Sequence, residues 1–326
     1  MSALSLGAMT FGESRSFMKG LTSTDDEARR VFDAAMDAGM NLVDTADVYG
    51  EGRSEELTGE WIRGKRDRVL LATKVRFPMG AAPAGPHDEG LSRKHVLEAC
   101  EASLRRLGTE VIDLYQVHMQ DGAVRIDETL RALDDLIAQG KVRYAGCSNY
   151  TGYRLVESLW SADRNRTQRY ESVQLQWSLA VRDAEREVVP ACRAFGLGIL
   201  VWSPLARGFL SGKYRRGEKP PPGSRLESWQ DSWRAYDNER GWSLLAAVGR
   251  VAERRGATHA AVSLAWLLAR PEVSTVIVGA RTAEQLEQNL RALETPLEPA
   301  EIAELDAASV PDWGYPYSFI GAREPW

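Results

Sequence analysis

The sequence predicts an α/β fold of the (β/α)8, or TIM-barrel, class, and three observations carry the prediction. Short apolar runs recur along the 326 residues, they alternate with segments of helical period, and eight such runs can be counted. Eight β/α units suit a closed parallel barrel, whose usual size is about 250 residues plus loop insertions. One domain over residues 1–326 is the simplest reading, with long loops at the carboxyl-terminal face and a tail, 311–326, near the barrel mouth. An open doubly wound sheet usually carries G-x-G-x-x-G after a strand, and no such hexapeptide occurs here.

Leu4 to Leu6 reads as the first strand. Thr24 and Glu27 form a capping-box pattern ahead of Val31, Phe32, Ala35 and Met36, which share one helical face, and Gly39 stops that helix. Asn41 to Val43, Val69 to Ala72 and Ile112 to Val117 are short, rich in β-branched residues and little alternating, as strands buried on both faces of a parallel sheet should be. Ser92 caps a helix carrying Val96, Leu97, Cys100, Ser103, Leu104 and Leu107 at three- and four-residue steps before Gly108. Leu130, Leu133, Leu136 and Ile137 repeat the pattern, which Gly140 ends. Val142 to Cys147, Ser172 to Gln176, Ile199 to Trp202 and Thr275 to Val278 complete the strands. The low-complexity stretch Arg215 to Ser224, RRGEKPPPGS, reads as a loop after the seventh.

Composition sets bounds. A chain 44% hydrophobic and 27% charged supports an ordinary globular core, and a net charge of −5 gives no footprint for nucleic acid. No apolar run reaches 18 residues and no leader is visible, so the expectation is a soluble, cytoplasmic protein without a membrane partner. Cys100, Cys147 and Cys192 are scattered within predicted elements and read as reduced core thiols, with no disulfide frame and no metal site. Nothing in the sequence sets an oligomeric state.

Ionisable side chains end successive apolar runs: Asp44 in NLVDTADVYG, with Tyr49 five residues on, Lys74 in RVLLATK and His118 in VIDLYQVH. In a closed parallel barrel, residues at the carboxyl ends of strands face one shared mouth, so all four can converge. A lysine cation within ~4 to 6 Å of a phenol favours the phenolate, and a carboxylate keeps that lysine charged and oriented. The product is a phenol able to give its proton to a carbonyl oxygen as hydride reaches carbon, with His118 hydrogen-bonding the same oxygen. Taken singly, each has a plainer reading as a cap, loop packer, solvated cation or structural histidine; their joint occurrence at consecutive strand ends favours the catalytic one.

The segments GAMTFG at 7–12, DTADVYG at 44–50, ATK at 72–74, SLRRLGTEVIDLYQVH at 103–118, GCSNY at 146–150, WSPLARGFLSGKY at 202–214 and VGARTAEQLEQN at 278–289 resemble those of aldo-keto reductases nearly end to end. The spacing of Asp44, Tyr49, Lys74 and His118 is similar to that family's catalytic tetrad. The resemblance implies reversible reduction of an aldehyde or ketone, with NADPH or NADH bound in extended form. It implies that Ser148, Asn149 and Gln174 bond the nicotinamide carboxamide and that Trp202 stacks on the ring. Ser203, Leu205 and Gly208 would line the pyrophosphate with charge from Lys213, and Gly279, Arg281, Gln285 and Asn289 would meet the adenosine side, where a 2′-phosphate favours NADP.

Two features depart from the family pattern. The recognisable sequence starts at residue 3, so the expectation is a barrel without the usual amino-terminal hairpin that closes its bottom. Gln285 stands where many NADP-preferring members carry a cation. The resemblance implies a small carbonyl compound as substrate; Phe77, Trp229, Trp233, Trp313, Tyr315, Tyr317 and Trp326 either form an aromatic wall for it or pack the long loops down. Two other classes of function remain open: a Schiff-base aldolase using Lys74, and a nicotinamide-binding regulatory subunit with negligible turnover.

Overall fold

The computed structural model describes residues 1–15, 18–80, 85 and 87–321. Eight parallel strands close a barrel in sequence order: β1 (Leu4–Gly7), β2 (Leu42–Asp44), β3 (Leu70–Val75), β4 (Ile112–Val117), β5 (Val142–Ser148), β6 (Ser172–Gln176), β7 (Gly198–Trp202) and β8 (Val273–Val278). Closure is made by β1 against β8, with Leu4, Ser5 and Leu6 opposite Val276, Ile277 and Val278. All eight runs read from the sequence are strands; the fourth and sixth coincide with β4 and β6, and the others differ at their ends by up to three residues, most at β3, which runs on to Val75.

Around the barrel lie α1 (Asp25–Asp37), α2 (Arg53–Trp61), α3 (Arg93–Leu107), α4 (Ile126–Ala138), α5 (Gly152–Asn165) and α6 (Val188–Phe195). After β7 come the short α7 (Arg225–Ser228) and α8 (Gln230–Tyr236), then α9 (Glu239–Arg255) and α10 (His259–Leu268). α11 (Ala283–Leu290), α12 (Pro299–Ser309) and α13 (Tyr317–Gly321) follow β8. Thr24 caps α1 by accepting from the Glu27 backbone N–H, but the Glu27 carboxylate turns away to Arg30 and the Ala283 backbone N–H, so only half of the expected capping box forms. Ser92 caps α3 in the same way, and Gly108 ends it in the left-handed conformation.

Side-chain parity divides each strand into a face toward the helices and a face toward the barrel axis. Asp44, Lys74, Gln116, Ser148 and Gln174 share the inner face near the carboxyl ends. Two residues below Ser148, Gly146 leaves room: a Cβ there would approach Gln116 Cγ and Leu114 Cδ1 to 3.1 Å and Ser172 Oγ to 2.9 Å. Lower still, Leu70 and Tyr144 occupy the inner parity at the amino-terminal end, and they are 38% and 60% exposed. No strand precedes β1 among the described residues, which leaves that end of the barrel open to solvent at these two side chains.

Candidate active site

β2 ends on Asp44, a turn opens at Tyr49, β3 places Lys74 next to its last residue, and His118 follows β4. These four side chains meet at the carboxyl-terminal mouth. Lys74 Nζ donates to Asp44 Oδ2 at 2.6 Å, to the Thr45 carbonyl at 2.8 Å and to Tyr49 Oη at 3.5 Å. The Lys74 side chain is fully buried, so its three hydrogens are committed to protein partners. The Tyr49 and His118 rings meet edge to face at 5.8 Å, and Phe77 meets His118 at 5.0 Å. Asn149 Nδ2 donates to the His118 carbonyl at 2.8 Å and to Ser148 Oγ at 3.1 Å, linking the tetrad to the end of β5.

Burial is the largest influence on the Tyr49 phenol and raises it above its ordinary value; Lys74 pulls it down, while Asp44 and Asp47 push it up. The sequence argument that Lys74 lowers the phenol is therefore correct in sign but outweighed by burial. Burial lowers the Lys74 ammonium, yet Asp44 and Tyr49 together leave it above its ordinary value. Burial and then Lys74 hold the His118 imidazole well below its usual range, so it is neutral near pH 7. Its buried Nδ1 has no hydrogen-bond partner among the described residues.

The remaining candidate residues lie in or after β5, β6, β7 and β8. Gln174 Nε2 donates to Asp44 Oδ1 at 2.7 Å. Trp202 ends β7, half-buried, with a buried Nε1 that has no partner among the described residues. Ser203 Oγ accepts from the Arg207 N–H, and the Leu205 carbonyl accepts from the N–H of Gly208. Asn149, Ser203, Ala206 and Arg207 all hold positive φ, strained for non-glycine residues, in the loops after β5 and β7. Strain of this kind, costing about 1–3 kcal/mol per residue, collects at ligand-binding loops.

A cation cluster lies beyond Gly208. Lys213 Nζ would be 3.4 Å from a Cβ at Gly208, and Lys213 is lowered by burial and by Arg281 and Arg225. Burial, with Arg281 and Arg207 nearby, brings Arg225 down to about 10 despite opposing pulls from Tyr214 and Tyr49. Arg225 Nη2 would lie 3.9 Å from a Cβ on exposed Gly279. Sequence reasoning missed Arg225, which the fold of the 215–224 loop delivers: Arg281 Nη1 donates to the Gly223 carbonyl at 3.0 Å. At α11 the N–H groups of Arg281, Ala283 and Gln285 are already taken by Gln285, Glu27 and Thr282, and Asn289 is buried farther along. Side-chain cations, more than the helix start, are thus the open anion-binding groups here.

The aromatic side chains separate by position. Phe77 faces the tetrad and the Arg207 guanidinium lies 5.1 Å from the Trp229 ring centroid, whereas Trp233 packs among Tyr214 and Trp242 and serves the loop. Trp313 borders a groove with Trp177, Tyr317 bonds Glu187, and Tyr315 is exposed. Trp326 lies outside the described residues. Cys100, Cys147 and Cys192 are buried free thiols. Among the described residues no group of three or more His, Cys, Asp or Glu could hold a metal ion, and no helix is long and apolar enough to cross a membrane.

Residues 3–310 match the aldo/keto reductase family. The chain belongs to that family. The oxidoreductase YrpG of Bacillus subtilis (strain 168), itself named uncharacterized, is 38% identical over 307 residues, covering 91% of this chain and 89% of its own. The versiconal hemiacetal acetate reductase of Aspergillus parasiticus is 32% identical over 333 residues, 95% of this chain and 94% of its own. A protein of Arabidopsis thaliana named probable voltage-gated potassium channel subunit beta is 33% identical over 305 residues, 90% of this chain and 89% of its own. Membership of the aldo/keto reductases supports carbonyl reduction, and members of the family generally bind NAD(P)H.

Proposed function

We infer that the chain reduces an aldehyde or ketone to an alcohol with a nicotinamide dinucleotide, NADPH ahead of NADH. The carrying observation is the buried Lys74 ammonium, 2.6 Å from Asp44 and 3.5 Å from the Tyr49 hydroxyl. A bound reduced dinucleotide supplies the hydride. Tyr49 gives its hydroxyl proton to the carbonyl oxygen, so hydride at carbon and proton at oxygen together make the alcohol. Lys74 stabilises the phenolate left behind, and Asp44 holds Lys74 charged. The neutral His118 imidazole donates a hydrogen bond to the same oxygen and directs it.

Ser148, Asn149 and Gln174 would hold the carboxamide, and Trp202 offers the stacking face. Ser203, Leu205, Gly208 and Lys213 would take the pyrophosphate. Gly279, Arg281, Gln285 and Asn289, joined by Arg225, would meet the adenosine end. The donor set fits such an anion: three clustered cations, exposed Gly279 and the strained backbone at Ser203. Arg225 and Arg281 favour a 2′-phosphate over a bare hydroxyl, since guanidinium groups match phosphate with charge-assisted bonds.

A panel of aldehydes and ketones assayed by loss of reduced-nicotinamide absorbance tests this reading; no turnover with any of them would contradict it. One second reading has an observation behind it. Relatives named as potassium channel beta subunits favour a nicotinamide-binding regulatory role, which binding without turnover would support. The Schiff-base alternative is disfavoured, because an ammonium held above its ordinary value is a poor amine nucleophile.

A further inference from the structure

Beneath the tetrad, the barrel interior holds two primary amides where branched hydrocarbon is the usual filling. Gln116 stands opposite Lys74 on one side and Gly146 on the other, fully buried. Its Nε2 donates to Asp44 Oδ1 at 3.2 Å; Gln174 Nε2 donates to that same oxygen at 2.7 Å and lies 3.4 Å from Gln116 Oε1. The other Asp44 oxygen, Oδ2, faces Lys74. A carboxylate can only accept, so both amides must turn their NH2 ends toward it. Gln116 then has its oxygen left for Gln174, and Gln174 has its oxygen left for the cleft.

The neighbouring residue accommodates this arrangement. A Cβ at Gly146 would crowd Gln116 Cγ at 3.1 Å, so the glycine gives the amide its path across the barrel. Burying an amide is unfavourable unless it is hydrogen-bonded, and Gln116 donates one bond to Asp44 and accepts one from Gln174.

We propose that Gln116 is a positioning residue for proton transfer: by tying down Asp44 Oδ1 it lets Lys74 be shared between Asp44 and Tyr49 instead of drawn wholly onto the carboxylate. Asp44 opposes a negative charge on Tyr49, whereas Lys74 favours one. The Gln116 N–H dipole disperses part of the Asp44 charge. Without it the carboxylate field at Tyr49 strengthens and Lys74 is pulled toward Asp44; both changes make Tyr49 hold its proton harder. The consequence for turnover rests on the carbonyl-reduction reading, but the electrostatic coupling does not.

The test therefore reads Tyr49 directly. A fluorinated tyrosine whose phenol titrates near neutral pH is placed at position 49 and followed by fluorine NMR in the cofactor-free protein. Gln116→Met fills a similar volume with no donor, and Gln116→Leu is the second variant should the first not fold. Either should raise the titration midpoint by at least ~0.5 pH unit, a fraction of what a hydrogen bond to a charged group is worth. In an Asp44→Asn background the same change should leave the midpoint in place. An unchanged or lowered midpoint in a folded variant overturns the proposal, as does an equal rise in the Asp44→Asn background, which would assign the effect to packing. Turnover is measured separately on the unsubstituted protein, so its absence would count against the reductase reading and leave the titration to judge Gln116.

Discussion

Tyr49 shows how burial and charge compete at one residue. The motif DTADVYG places the phenol, and strand spacing places Lys74 beside it, but only the packed barrel reveals how far both are desolvated. Burial outweighs the cation, so the phenol keeps its proton past its ordinary value of about 10. Reduction needs the protonated form, hence its rate should be level through neutral pH and fall only on the alkaline side. Replacing Lys74 by Met removes the group that favours the phenolate, so the rate should drop and the alkaline limb should move up; kcat measured against pH checks both. A limb that moved down would place Lys74 outside this role. His118 gives a second pH effect with the opposite sign. Its folded value is depressed, so the unfolded chain binds a proton first as pH falls below about 6.5, and stability contributed by the neutral imidazole is lost in that window. Urea unfolding at pH 7.5 and pH 5 should show a smaller acid loss in His118→Gln than in the parent. Equal losses would mean the imidazole does not titrate as its burial requires.

At the scale of elements, the strands and the meeting of Asp44, Tyr49, Lys74 and His118 at one mouth were legible because their signals are local: short apolar runs, an ionisable group at the end of three of them, glycine stops after the helices. The 215–224 loop was legible too, but the two short helices that follow it were not. α7 and α8 are four and seven residues long, too short for a periodic signal, and Arg225 enters the site only because the preceding proline-rich loop is tied to Arg281. Gln116 was hidden inside an apolar strand, its amide partner 58 residues away in sequence. α2 carries a similar long-range constraint at Gly59, where a Cβ would lie 2.3 Å from the Leu107 carbonyl oxygen at the end of α3. Helix propensity alone predicts that Gly59→Ala stabilises α2 by about 1 kcal/mol. The backbone contact predicts the reverse, a loss of about 1–3 kcal/mol from overpacking, visible as a lower melting temperature. A higher one would show that α2 and α3 can separate without cost.

The whole molecule presents two ends with different demands. At the amino-terminal end, Leu70 and Tyr144 are exposed, and a family-like hairpin grafted upstream of Ser2 should cover them and raise the melting temperature by a few degrees. No gain from a well-folded graft would show that this end needs no cover. At the mouth, Arg281→Ala and Arg225→Ala should weaken NADPH binding by roughly ten- to hundred-fold and NADH binding much less, with high salt eroding the difference. Equal losses in fluorescence titrations would remove these residues from the 2′-phosphate. The central claim, that Tyr49 delivers the proton, is tested most directly by Tyr49→Phe, assayed for reduction of a good aldehyde at saturating NADPH beside a titration of cofactor binding. The ring and its contacts remain while the transferable proton is lost, so binding should be unchanged and the rate should fall by ~10² to 10⁴. Reduction at the parental rate with binding intact would contradict the claim.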